Sequence, residues 1–195
     1  MTLQSACVFC GSSSNVDEAY KQAAQEMGDG LAKRGVRLVY GGGKVGLMGI
    51  AADACLSGGG EVLGVIPEFL QSLEVGHGAV TELIVTQSMH ERKAIMYERS
   101  DAFVILPGGL GTLDEMMEAL TWRQLQLSDK PIIIANINGY WDEALALMEK
   151  VITSGFARES ARNLFTVAAT MDEVLEMLDR IEAGAPSSPE ESRKL

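Results

Sequence analysis

Two hydrophobic patterns alternate along this 195-residue chain. Short, nearly continuous apolar runs at 6–10, 36–40, 62–66, 83–86, 102–106, 132–137 and 164–167 read as buried strands. Between them, 16–34, 47–57, 88–99, 112–127, 141–154 and 171–182 carry helical spacing, with stop signals such as Gly35 after Arg34. Strands that are apolar on both faces belong in a parallel sheet covered on both sides. The alternation therefore predicts an α/β fold: one doubly wound, Rossmann-like domain with a mostly parallel sheet of about seven strands and helices on both faces. It is expected to span 1–183, with no internal repeat or linker. From Gly184 the chain turns to Pro186-Ser-Ser-Pro189 and charged residues, so 184–195 reads as a disordered tail.

In such sheets ligands bind above the carboxyl ends of the strands. The glycine and proline turns fall there: Gly11-Ser-Ser-Ser, Gly41-Gly-Gly, Pro67-Glu and Pro107-Gly-Gly. The last opens Pro107-Gly-Gly-Leu-Gly-Thr-Leu-Asp-Glu115, a glycine turn between the 102–106 strand and a helix. A strand–turn–helix junction presents unpaired N–H groups and the positive end of a helix dipole, which suits a phosphate. Gly108, Gly109 and Gly111 let the backbone approach an anion with no Cβ in the way. Thr112 adds a hydroxyl, and Glu115 puts a carboxylate one turn from the bound group. A second use competes for the same residues. Thr112-Leu-Asp-Glu115 has the T-x-x-E spacing of a capping box, with Thr112 as cap and Glu115 bonding back to its N–H.

Arg92 and Lys93, in Met89-His-Glu-Arg-Lys93, are the only bases between Lys44 and Arg99. They fit either a solvated helix face or the rim of the anion site, Arg as a planar fork and Lys as a point charge. Gly41-Gly-Gly-Lys-Val-Gly46 matches the dinucleotide pattern G-x-G-x-x-G, with Glu61 about 20 residues on. Its placement argues against bound NAD, because Glu61 opens the next strand at the end remote from the ligand edge. It is not a P-loop, since Leu47-Met48 stands where Lys-Ser/Thr is required. Cys7-Val-Phe-Cys10 has redox or zinc spacing, but residues three apart on a strand face opposite sides, so buried thiols are expected. His77 and His90 enter no Ser/His/Asp arrangement.

Charge narrows the partners. The net charge is −11, with balanced residues at 1–60 (five acids, five bases) and 22 acids against 11 bases at 61–195. Nucleic-acid binding normally needs a basic surface, so no such partner is expected. No apolar run approaches the ~20 residues of a membrane span, and Met1-Thr-Leu-Gln-Ser-Ala lacks the features of a signal peptide. A cytoplasmic protein is expected.

Together, the Pro107–Glu115 motif (PGGxGTxxE), Gly41-Gly-Gly-Lys-Val-Gly-Leu-Met-Gly49 and Met89-His-Glu-Arg-Lys93 resemble the LONELY GUY family, from about residue 6 to 178. Those proteins are cytokinin riboside 5′-monophosphate phosphoribohydrolases; related sequences often carry the label lysine decarboxylase. The resemblance implies Arg92 and Glu115 as catalytic residues. It implies nucleotide binding by Lys93 and by Gly108, Gly109, Leu110, Gly111, Thr112, Leu113, Asp114 and Glu115. Glu74 and Thr121 match two further binding positions, which serve the neighbouring subunit's site if the family's homodimer is formed. Asp114 stands where glutamate is common in the family. The activity implied is hydrolysis of the N-glycosidic bond of a purine ribonucleoside 5′-monophosphate, with no cofactor and no metal. Its rival is a non-catalytic nucleotide-binding or signalling module on the same fold.

Overall fold

The computed structural model of the protein describes residues 3–71 and 76–182. Among the described residues, seven strands form one sheet: Ser5–Phe9 (β1), Arg37–Tyr40 (β2), Val62–Pro67 (β3), Glu82–Thr86 (β4), Ala102–Ile105 (β5), Ile132–Ala135 (β6) and Thr166–Ala168 (β7). Their order is β4-β3-β2-β1-β5-β6-β7, and every neighbouring pair is parallel. The connecting helices are Glu18–Arg34 (α1), Gly46–Ser57 (α2), the short Glu68–Gln71 (α3), Met89–Glu98 (α4), Leu110–Gln124 (α5), Asp142–Thr153 (α6) and Met171–Glu182 (α7). The doubly wound α/β architecture expected from the sequence is thus present. The predicted tail, 184–195, lies outside the described residues.

Strand alternation sends successive side chains to two separate cores. On one face Ala6, Val8, Cys10, Leu38, Val104 and Ile133 pack under α1, α2 and α7, which contribute Met27, Leu31, Ala51, Cys55, Val174 and Leu178. On the other, Cys7, Phe9, Leu63, Val65, Phe103 and Ile105 pack under α4, α5 and α6, through Met96, Met116, Leu120 and Leu145. Cys7 and Cys10 therefore face opposite sides of the sheet, and all three cysteines are free and buried. Burial, with the Glu115 carboxylate adding to it, pushes the Cys7 and Cys10 thiols well above their ordinary value, which keeps them protonated and unreactive.

Local chemistry sets the helix ends. Asp17 caps α1 by accepting the Ala19 N–H at 2.8 Å, and Gly35 ends it in the left-handed region at φ 64°. At α4, Ser88 Oγ accepts the Glu91 N–H (3.1 Å) and the Glu91 carboxylate returns to the Gln87 N–H (2.8 Å). The Ser88-x-x-Glu91 pair thus does the capping at this helix. β6 stops at Ala135 rather than 137, because the Asn136 side chain takes the next bonds. Its Oδ1 accepts the Trp141 N–H and its Nδ2 donates to Asp142 Oδ1, both at 2.7 Å.

Candidate active site

The switch point of the sheet lies between β1 and β5. After β1 the chain crosses to α1 on one face; after β5 it crosses to α5 on the other, leaving a crevice above the strand ends. The crevice measures about 260 Å³ and is lined by Ser12, Ser13, Tyr20, Gly108, Gly109 and Tyr140, among others. A larger groove of about 990 Å³, which includes Arg123, Leu127, Phe156 and Arg158, lies in the segments that lead into β6 and β7, at the opposite end of the sheet.

Several helices start at the ligand edge, but only some offer free amides. α1 and α4 are closed by the Asp17 and Ser88 side chains. At α2 the Leu47 and Met48 N–H groups already donate to the Gly11 carbonyl, at 3.0 and 3.3 Å. α6 carries Asp142 and Glu143 in its first turn, which repel an anion. α5 is different: its cap is Gly109, with no side-chain cap bond and no acid in the first turn. The Leu113 N–H bonds the Gly109 carbonyl at 3.0 Å, so the amides of Leu110, Gly111 and Thr112 precede the first intrahelical bond.

This start corrects the expected helix from 112 and removes the competing capping-box reading of Thr112 and Glu115. α5 begins at Leu110, two residues earlier, so both residues lie inside the helix, where a cap's extended backbone is not available. The cap is Gly109, which has no side chain to mark the early start in the sequence. Thr112 is buried against the Gly108 backbone, where an added methyl would overlap its Oγ1. The loop is tied from two more sides. The Gly11 N–H donates to the Pro107 carbonyl at 3.1 Å, and the Tyr140 hydroxyl donates to the Gly108 carbonyl at 2.6 Å. Sequence reading did not single out Tyr140, which follows a positive-φ turn at Asn138 and Gly139.

One turn past Thr112, Glu115 meets Arg92 of α4, with Oε1 3.4 Å from Nη2. Their side chains are 9% and 7% exposed, so a charge pair is held almost out of water. Arg92 Nη1 lies 3.8 Å from Met89 Sδ, and among the described residues Nε has no hydrogen-bond partner. A buried guanidinium with a donor to spare is set up to meet an acceptor from outside the chain.

The remaining candidates fall in three places. Lys93 bridges α4 to α5, with Nζ 3.1 Å from Asp114 and 2.8 Å from Glu118. Burial pulls its ammonium down, but the bonds to Glu118 and Asp114 outweigh this and raise it above the ordinary lysine value. Lys93 and Asp114, both expected at the nucleotide, are thus paired with each other in this chain. Leu113 is half-buried, and Leu110, the residue after Gly109, is 85% exposed. Thr121 is not brought to the Arg92–Glu115 pair: it is exposed, and its hydroxyl donates back to the Met117 carbonyl at 2.7 Å. Glu74 lies outside the described residues. The dinucleotide reading of Gly41–Gly46 finds no support, because Glu61 pairs at 3.7 Å with Arg37 at the start of β2, on the edge away from the crevice.

Fold and site define a doubly wound α/β protein with one open helix end at its switch point and a buried arginine–carboxylate pair beside it. Residues 48–178 match the protein family described as "Possible lysine decarboxylase". The chain is 43% identical over 173 residues to a cytokinin riboside 5′-monophosphate phosphoribohydrolase of Arabidopsis thaliana, covering 89% of this chain and 81% of that one. It is 49% identical to a probable enzyme of the same name from Oryza sativa subsp. japonica, covering 89% and 76%. Among solved structures, the molybdenum cofactor carrier protein of Chlamydomonas reinhardtii superimposes with a TM-score of 0.72 at 24% identity, over 93% of this chain and 99% of that one, a likeness of fold. The chain belongs to the cytokinin riboside 5′-monophosphate phosphoribohydrolase family. Lys93, next to Arg92 on α4, is held by two carboxylates.

Proposed function

We propose that the protein hydrolyses the N-glycosidic bond of purine ribonucleoside 5′-monophosphates, cytokinin-type or AMP, to the free base and ribose 5-phosphate. The observation that carries this reading is the Arg92–Glu115 pair, buried one helical turn from the open end of α5. The 5′-phosphate binds the amides of Leu110, Gly111 and Thr112, with Gly108 and Gly109 allowing close approach. Remote binding energy is thereby converted into position. As the bond from C1′ to the base nitrogen breaks, its electron pair leaves with the base and C1′ gains oxocarbenium character. Glu115 stabilises that carbon and takes a proton from the water whose oxygen bonds to C1′. Arg92 orients the nucleotide and stabilises negative charge developing on the leaving purine, which takes up a proton from solvent to become the free base as Glu115 gives up the one taken from water. Lys93, Leu113 and Asp114 complete the nucleotide side of the site.

The test is direct. Incubation with AMP and with an N6-prenylated AMP is expected to release free base, read by chromatography, and activity is expected to survive dialysis and EDTA. Among the described residues, no three His, Cys, Asp or Glu side chains gather as a cation site. Binding without base release would favour a non-catalytic nucleotide module instead. Loss of activity in EDTA, restored by one added metal, would overturn the metal-free mechanism.

The site is also proposed to be completed by a homodimer, with Glu74 and Thr121 serving the neighbouring subunit. Supporting it, Thr121 lies in a stripe with Leu110 and Met117 on α5 and Leu125 at its C-terminal cap, which are 85%, 36% and 61% exposed. Their spacing of seven, four and four residues keeps all four on one helix face. Light scattering is expected to give at least twice the 20.9 kDa chain mass, and Met117→Glu to shift the protein to monomer with loss of turnover. A fully active monomer would rule out a shared site. The net charge of −11 argues against nucleic-acid partners. No described helix is long and apolar enough to cross a membrane; the three unpaired cysteines suit a reducing compartment, and the reading places the protein in the cytoplasm.

A further inference from the structure

The first glycine of Gly41-Gly-Gly-Lys-Val-Gly46 stands between the end of β2 at Tyr40 and the start of α2 at Gly46. Two other glycines of the run have backbone reasons to be there, since Gly42 and Gly46 sit in the left-handed region at φ 75° and 70°. Gly41 does not share that conformation, so its need for glycine has another source. A methyl group at Gly41 would overlap Nη2 of Arg92, lie 3.3 Å from its Cζ and come within 3.1 Å of Met48 Sδ. Nη2 is also the nitrogen that faces Glu115, at 3.4 Å. Arg92 is 5% exposed, and its other terminal nitrogen, Nη1, lies 3.8 Å from Met89 Sδ.

We propose that Gly41 is a positioning residue: its missing side chain is the seat on which the Arg92 guanidinium rests, and this seat sets the Arg92–Glu115 geometry. The inference rests on the role given to Arg92 above. Any side chain at position 41 pushes Nη2 off the β2 turn and changes its approach to Glu115 and to the nucleotide. The neighbour that must yield is the tip of a flexible side chain, not backbone. The chain therefore folds around the substitution while the arginine is displaced. Misplacement of a charged group by about 1 Å is enough to cost about 10²-fold in rate.

A double-mutant cycle tests this with Gly41→Ala, Arg92→Ala and the double variant, each measured for kcat, KM and thermal midpoint. Arg92→Ala is expected to lose about 10²–10³-fold in kcat, as removal of one transition-state donor does. Gly41→Ala is expected to lose at least about 10-fold in kcat, and the double variant to be no slower than Arg92→Ala alone. Losses that multiply would overturn the proposal, because a glycine needed for any other reason would add its cost independently. Stability gives a second reading if Gly41→Ala folds poorly. Removing Arg92 opens the space, so the double variant is expected to regain thermal stability relative to Gly41→Ala; equal destabilisation in both backgrounds would overturn the seat. The two levels fail separately. Arg92→Ala at the wild-type rate would remove the role of Arg92 itself, whereas an impaired Arg92→Ala beside a fully active Gly41→Ala would remove only the seat.

Discussion

Glu115→Gln is expected to lower turnover by about 10²–10⁴-fold, the usual weight of a general acid–base group, with nucleotide affinity kept within a few-fold. The substitution preserves shape and one acceptor oxygen but removes the negative charge. An oxocarbenium-like C1′ then loses its stabilising carboxylate, and the attacking water loses its proton acceptor. Because Glu115 lies inside α5 and not in a capping box, no helix-cap loss enters the comparison. What does enter is Arg92, whose buried charge faces Glu115 at 3.4 Å. Glutamine leaves that guanidinium a neutral acceptor, at an expected stability cost of about 1–3 kcal/mol. Glu115→Ala removes the paired group altogether, and the cost rises to about 3–5 kcal/mol, as for a broken buried pair. Steady-state kinetics and thermal denaturation on both variants separate the roles. A Glu115→Gln protein that turns over near the wild-type rate would reduce Glu115 to a partner for Arg92. Asp114 would not replace it easily, since its carboxylate is more than half exposed and tied to Lys93 at 3.1 Å.

The parts of this molecule written in local patterns were legible, and those made by distant residues meeting were not. Apolar runs such as 62–66 and 102–106 gave strands within a residue of Val62–Pro67 and Ala102–Ile105, because burial on both faces leaves no polar position to confuse the period. The start of α5 was misread because a glycine cap leaves no side-chain signature, while Thr112 and Glu115 happen to share the spacing of one. The side-chain box actually formed, Ser88 with Glu91, sits at the helix that carries Arg92. The anion-binding glycine turn could be read from Pro107 onward, but its tether to Tyr140 could not, since 32 residues separate Tyr140 from Gly108. The same holds for Gly41, whose small size answers to an arginine 51 residues further along the chain. The pairing of Lys93 with Asp114 and Glu118 depends on how α4 lies against α5, which neither helix records alone.

Removing the 5′-phosphate from the substrate is expected to cost about 10²–10⁴-fold in kcat/KM. The phosphate is the handle by which α5 holds the nucleotide, through the amides of Leu110, Gly111 and Thr112 ahead of the first helix bond. A hydrogen bond to a charged group contributes about 1.5–3 kcal/mol, and two such bonds account for the range. The helix dipole adds about 0.3–1 kcal/mol more at an exposed end. The rest of this acidic chain works against an anion, with a net charge of −11, so the discrimination has to come from this local arrangement. Part of the loss falls on kcat, because a nucleoside held only by base and ribose spends more time out of line with Glu115. Tyr140→Phe examines the same loop from the protein side. It deletes the 2.6 Å bond to the Gly108 carbonyl, a contact with a net weight of about 0.5–1.5 kcal/mol. The nucleotide should therefore lose about 2- to 10-fold in kcat/KM while the slow nucleoside reaction stays unchanged. Paired assays of AMP and adenosine on both proteins give the answer. If nucleoside and nucleotide are hydrolysed with equal kcat/KM, the α5 amides do not bind the phosphate and the open helix end has another purpose.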